Sequence, residues 1–175
     1  MKKILSILLL ILISYSKEVY FIPKEGKKAE NRLFYLFTHA KKDIKIAIYT
    51  FTNKKLAKAL KIAAKKGVKI TIIADKKTSK YHYSVIPRLA TLKNFNIYLL
   101  SGKNYKANEK SKMHVKLSII DNRYLVTGSA NYSYSAFYKN YEYILIHQNK
   151  NLIAKFNNFF NKLKALSTSY RISQE

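Results

Sequence analysis

The chain has no cysteine, which excludes disulfides, zinc–thiolate sites and a lipid-modified cysteine at the N-terminus. Acidic residues are scarce: 9 Asp and Glu stand against 34 Lys and Arg, for a formal net charge of +25. Those carboxylates (Glu18, Glu25, Glu30, Asp43, Asp75, Glu109, Asp121, Glu142, Glu175) are scattered singly, whereas a two-metal nuclease needs them clustered. The pattern points away from a metal or other cofactor and leaves electrostatic work on an anionic substrate to lysine. Neither a repeat nor a linker breaks the 175 residues, a length suited to one domain with its own core. At 48% hydrophobic residues the chain is no disordered tail.

The charge excess attracts polyanions, and nucleic acid and anionic membrane surfaces are the two obvious partners. Compositional bias is the competing cause, because richness in Asn, Ile and Tyr accompanies Lys in proteins of A+T-rich genomes. At the N-terminus, Lys2 and Lys3 precede a nearly unbroken apolar run from Ile4 to Ile13, and Ser14-Tyr15-Ser16 follows with small residues. That is the layout of a secretory signal. The run falls short of the ~20 residues of a comfortable membrane span. Residues 1–16 are therefore expected to be cleaved after Ser16 or kept as a short anchor at the membrane. Either way residues 17–175 form a domain outside the cytoplasm, in the periplasm, at the cell envelope or secreted.

The mature part alternates strand and helix. Strands are expected at Val19–Ile22, Asp43–Phe51, Val68–Ala74, Asn96–Leu100, Met113–Ile120, Tyr124–Thr127 and Tyr141–His147. Helices are expected at Lys27–Ala40, Lys54–Lys66 (capped by Asn53, stopped by Gly67), Ser84–Asn94 and Asn151–Leu166. Asp75–Tyr83 and Ser101–Lys112 read as polar loops. The order predicts an α/β fold, a mixed β-sheet flanked by helices on both faces.

The informative stretch is Met113 to Asn131. On a strand, His114 and Lys116 share one face while Val115 and Leu117 point to the core. A histidine beside a lysine is electrostatically awkward unless an anion lies between them. After the next strand comes Gly128-Ser129-Ala130-Asn131. Gly128 permits close backbone approach, and Ser129 and Asn131 supply neutral donors. If the two strands form a hairpin, a nucleophile or base, a cation and two donors meet at one small pocket, the parts needed to hold and attack a phosphate. His39, His82 and His147 lack such context.

The spacing His114-x-Lys116, four residues, Asp121, six residues, Gly128-Ser129-x-Asn131 resembles the HKD motif of the phospholipase D superfamily, extended to GSxN. Asn140-Tyr141-Glu142 is similar to the neighbourhood of the family's Asn-x-Glu. One motif in a short chain is most similar to the bacterial single-motif endonucleases of that superfamily. The resemblance implies a metal-independent phosphodiesterase working as a homodimer, with His114 as nucleophile and His114 of a second copy as general acid and base. It also implies that Lys116, Ser129 and Asn131 bind phosphate, that Glu142 hydrogen-bonds the far nitrogen of His114, and that Asp121, counted with the catalytic set, gives support by bracing the loop at the turn.

Two substrate classes compete. Lys and Tyr interleave in the loops nearest the expected pocket, at Lys80, Tyr81 and His82 and at Tyr105 and Lys112, and Tyr132 and Tyr134 follow the GSxN turn. Cations with aromatic platforms favour single-stranded nucleic acid, DNA before RNA. The alternative is a lipid phosphodiesterase acting on cardiolipin-like substrates, which would need an apolar lip or a retained anchor. A motif-bearing module that only binds is a third class, and the completeness of the motif argues against it.

Overall fold

A computed structural model describes residues 17–103 and 111–171. The N-terminal segment 1–16 and Tyr105 lie outside the described residues. The elements run β1 (Lys17–Ile22), α1 (Gly26–Thr38), β2 (Asp43–Ile48), α2 (Lys54–Lys65), β3 (Lys69–Asp75), a short 3₁₀ turn (Thr78–Lys80), α3 (Ile86–Ala90) and β4 (Phe95–Leu100). After them come β5 (Lys116–Ile120), β6 (Tyr124–Gly128), α4 (Tyr134–Tyr138), β7 (Glu142–His147), α5 (Lys150–Ala165) and β8 (Thr168–Tyr170). All eight strands form one sheet in the order β1-β7-β6-β5-β2-β3-β4-β8.

The sheet is mixed because its connections differ. The helical crossovers α2 and α3 carry the chain between parallel neighbours β2, β3 and β4. The tight turn after β5 gives an antiparallel pair with β6. In that turn Asp121 and Asn122 take φ of 51° and 53°, a region Asp and Asn enter more readily than most residues.

Alternation along β2 and β3 sends side chains to two cores. Ile44, Ile46, Ile70 and Ile72 pack on one face with Leu33 and Phe37 of α1 and Leu56 and Leu60 of α2. Ala47, Ile73, Leu117, Ile119 and Leu125 pack on the other with Ile153 and Phe160 of α5. The expected layering, helices on both faces of a mixed sheet, is what forms. Burying each of these Ile or Leu side chains favours folding by roughly 1.5–3 kcal/mol. α2 begins as its sequence dictates, with Asn53 Oδ1 accepting from the Leu56 amide at 3.0 Å. α1, α2 and α4 are tied by buried Glu30, which accepts from Asn53 (2.6 Å), Lys55 (2.8 Å) and the Tyr138 hydroxyl (2.8 Å). No helix among the described residues is long and apolar enough to cross a membrane.

Several expectations need correction. The strand expected over Met113–Ile120 starts at Lys116, because the Met113 amide is held by the Asp75 carboxylate instead of a ladder partner. The helix expected over Ser84–Asn94 shrinks to Ile86–Ala90. Both α4 and β8 were unforeseen, the first being too short for a helical period and the second polar.

Asp121 is not beside His114. It follows β5 at the opposite end, on the order of 20 Å away along seven extended residues. Its carboxylate accepts from the amides of Lys41 (2.8 Å), Lys42 (2.7 Å) and Asp43 (3.1 Å), fixing the entry into β2. It belongs to the scaffold and not to the catalytic set. Asp121→Ala is expected to lower unfolding stability by about 1–3 kcal/mol in a denaturant titration, and to leave kcat within about twofold at temperatures where the variant is folded.

Candidate active site

The site lies where the sheet changes direction. β2 has a parallel neighbour on one side and antiparallel β5 on the other, and such switch points open a crevice at the carboxyl ends of strands. Tyr49 follows β2 and Asp75 ends β3. Into this crevice the chain brings His114, on the extended approach to β5. Three bonds fix that approach: the Met113 amide to Asp75 Oδ2 (3.1 Å), the Tyr49 amide to the Val115 carbonyl (3.0 Å), and Lys116 Nζ to the His114 carbonyl (2.9 Å). Asp75 is itself buried, and its other oxygen accepts from the Lys77 and Thr78 amides.

His114 is exposed, yet one side of its ring is covered by Tyr49, with centroids 4.6 Å apart. Loss of water on that side, then the nearby Lys116 and Lys112 ammoniums, hold its pKa below 6.5, and Asp75 and Glu142 only partly offset them. Its imidazole is therefore neutral, and able to act as a nucleophile, at neutral pH. Lys116 is buried at 8% exposure rather than lying on an open face, because helices cover both sides of β5. Burial lowers its pKa, against the pull of Glu142. The Lys116 and Lys112 ammoniums stand 5.4 Å and 5.9 Å from the Tyr49 ring centre.

The hairpin delivers the donors. Leu117 pairs with Thr127, so Gly128 and Ser129 come beside Lys116. Gly128 has φ 155°, and a Cβ there would run into the Tyr143 carbonyl oxygen, so only glycine fits. Ser129 Oγ accepts from the Tyr143 amide at 3.1 Å, which leaves its hydroxyl proton to donate outward. Asn131 Oδ1 accepts from the Thr50 amide at 3.2 Å, which orients its Nδ2 as a donor with no protein partner among the described residues. Glu142 opens β7. It is close enough to His114 and Lys116 to shift both electrostatically, but the hydrogen bond expected from it to the His114 ring is not made among the described residues.

Of the expected groove residues, Tyr132 is a correction. It is 3% exposed, packs edge-on against Phe37 and Phe51, and bonds Ser118 through its hydroxyl at 2.6 Å. Its apolar flank Ala130 turns it into the core. Tyr134 stays exposed and stacks on Tyr138 at 4.9 Å. Lys80, Tyr81 and His82 line a neighbouring cleft. The sequence reading missed Tyr49 and Asp75, since only the strand order places β2 and β3 beside His114. No second histidine packs against His114 among the described residues. His39 stacks on Tyr35, His82 packs edge-on against Tyr83, and His147 ends β7 opposite Lys17. Nor do three His, Asp or Glu side chains converge among those residues as a metal would need.

Comparison with known proteins identifies the family and the fold. A family model described as "Cardiolipin synthase, PLD-like domain" matches residues 33–164. The structure of NucT from Helicobacter pylori superposes with a TM-score of 0.86 at 32% identity, covering 89% of this chain and 99% of that one. Nuc from Salmonella typhimurium, a phospholipase D family member, gives 0.74 at 24% identity, covering 90% and 99%, a likeness of fold. The mitochondrial cardiolipin hydrolase of Danio rerio is 24% identical over 133 residues, 76% of this chain but 56% of that protein. The chain thus spans little more than half of that relative's length.

Proposed function

Because the chain belongs to the phospholipase D superfamily as a Nuc-like member with one motif, we propose that it is a metal-independent phosphodiester hydrolase, an endonuclease acting on single-stranded DNA in preference to RNA. The observation that carries this is the set of groups gathered at one end of the β5–β6 hairpin: an exposed imidazole on His114, the buried Lys116, and the two anchored donors Ser129 and Asn131, in a chain with a net charge of +25.

The reaction runs in two displacements. A ring nitrogen of His114 attacks phosphorus, a P–N bond forms, and the P–O bond to the leaving alkoxide breaks. That alkoxide takes a proton from His114 of a second copy of the chain, a ring that takes up that proton from solvent when the negative charge of the bound diester favours its imidazolium form. The second imidazole then removes a proton from water, whose oxygen displaces His114 and restores both rings. Lys116, Ser129 and Asn131 stabilise the equatorial oxygens, where a metal ion would act in other nucleases. Glu142 supports the charged imidazole electrostatically. The absence of a second imidazole beside His114 among the described residues is the reason a homodimer with its site on the two-fold axis is proposed.

The export expected from residues 1–16 would bring such a nuclease to nucleic acid outside the cytoplasm, and a retained N-terminal segment would keep it at the membrane. The second reading, a lipid phosphodiesterase, is favoured by relatives described as cardiolipin hydrolases. Incubating the protein with single-stranded DNA, duplex DNA, RNA and cardiolipin vesicles in excess EDTA separates these. Cleavage of single-stranded DNA at an undiminished rate is expected. Turnover of cardiolipin alone, or full loss of activity in EDTA, would reject the proposal.

A further inference from the structure

We propose that the cleft beside the His114 pocket is a strand-binding subsite, which holds the nucleotides next to the cleaved phosphate. The inference rests on the nuclease reading above and goes beyond it by assigning residues to the polymer. The cleft lies between α2 and the segment after the 3₁₀ turn and measures about 740 Å³, the size of clefts that hold drug-sized ligands. Four cations line it, Lys54, Lys61, Lys80 and Arg88, and no carboxylate does. None of the four forms an ion pair among the described residues; the ion pairs there use Arg32, Lys45 and Lys55.

The same cleft is aromatic. Tyr81 and Tyr83 rings lie 5.5 Å apart, and His82 packs edge-on against Tyr83 at 4.7 Å. Tyr83 remains 53% exposed, so ring surface is free to take a base. Unpaired cations that can track a backbone, beside an exposed aromatic ring that can take a base, are the two ingredients of sequence-tolerant single-strand binding. An inorganic anion would need the cations and not the rings. A lipid headgroup would need a path for acyl chains as well.

The cleft is joined to the reacting centre. The Tyr81 phenol is close enough to raise the pKa of Tyr49, and the Thr78 hydroxyl donates to the Tyr49 carbonyl. Tyr49 packs on His114. A strand whose scissile phosphate sits at Lys116 can therefore run over Tyr49 and past Tyr81 into the cleft.

The test compares two substrates of the full-length protein: an oligothymidylate of about 20 nucleotides and the small diester bis(p-nitrophenyl) phosphate, too short to reach the cleft. Lys61→Glu with Arg88→Glu is expected to raise KM for the oligonucleotide at least about tenfold. It should leave kcat/KM for the small diester within about twofold, which also shows that the variant is folded. Tyr83→Ala is expected to raise the oligonucleotide KM while Tyr83→Phe does not. In a His114→Ala background, the slope of log binding constant against log salt should fall by about 0.7 per phosphate contact removed. Equal effects on both substrates, or none on either, would overturn the subsite and leave the nuclease standing. If the unaltered protein hydrolyses the small diester and cardiolipin vesicles but no nucleic acid, the nuclease reading falls and takes the subsite with it.

Discussion

His114→Ala is expected to lower turnover of every diester substrate by at least about 10⁴-fold, because in the proposed dimer it removes the attacking atom and, from the second copy, the proton donor as well. Two functions vanish with one substitution, so no background from a surviving acid should remain. The fold should persist. The ring is exposed, and the segment that carries it is held through backbone bonds at Met113, Val115 and the His114 carbonyl. The variant should therefore keep its thermal midpoint within a few degrees and still bind oligonucleotide. Residual activity within about 100-fold of the unaltered protein would mean that another nucleophile acts.

Lys116→Met is the second large effect expected, and it carries a sign. The loss of a preorganised cation from a buried phosphate site costs about 10²–10³ in kcat. Methionine nearly fills the buried volume, so the loss is not one of packing. The pH profile should move as well. After burial, Lys116 is the largest influence holding the His114 pKa below 6.5. Without that positive charge the ring binds its proton more readily, its pKa rises towards 6.5, and the acidic limb of kcat/KM moves to higher pH. Lys112→Ala should move the limb in the same direction with a smaller change in kcat, since Lys112 is exposed. An acidic limb that stays fixed, or moves to lower pH, would show that His114 does not act as a free base in the rate-limiting step.

How far the sequence speaks for this site depends on the range of the interaction. The turn at Asp121-Asn122-Arg123 was legible because it needs only local backbone preferences, and it sets the β5–β6 register that brings Gly128 and Ser129 to Lys116. Asn53 as a helix cap was legible for the same reason. Burial was less so. Tyr132 reads as a groove aromatic next to polar Ser129 and Asn131, but a parallel bridge between Phe51 and Tyr132 draws it inward. Lys116 reads as one side of a half-exposed strand, whereas β5 is central and covered on both faces. Tyr49 and Asp75 were illegible because their relevance arises only when β2 and β3 lie next to β5. Asp121 was placed at the right turn as a brace for the loop, and only its inclusion in the catalytic set fails, since a motif's spacing along the chain does not state its distance in space.

The shared site of two subunits is tested most directly by mixing. Unaltered and His114→Ala chains, unfolded together in equal amounts and refolded so that dimers form at random, are compared with the same total quantity of unaltered protein. If both imidazoles of a pair serve one phosphate, only pairs of two unaltered chains turn over, and about a quarter of the activity remains. About half remaining would mean that each chain works alone, and would contradict a reaction carried by two histidines from two subunits.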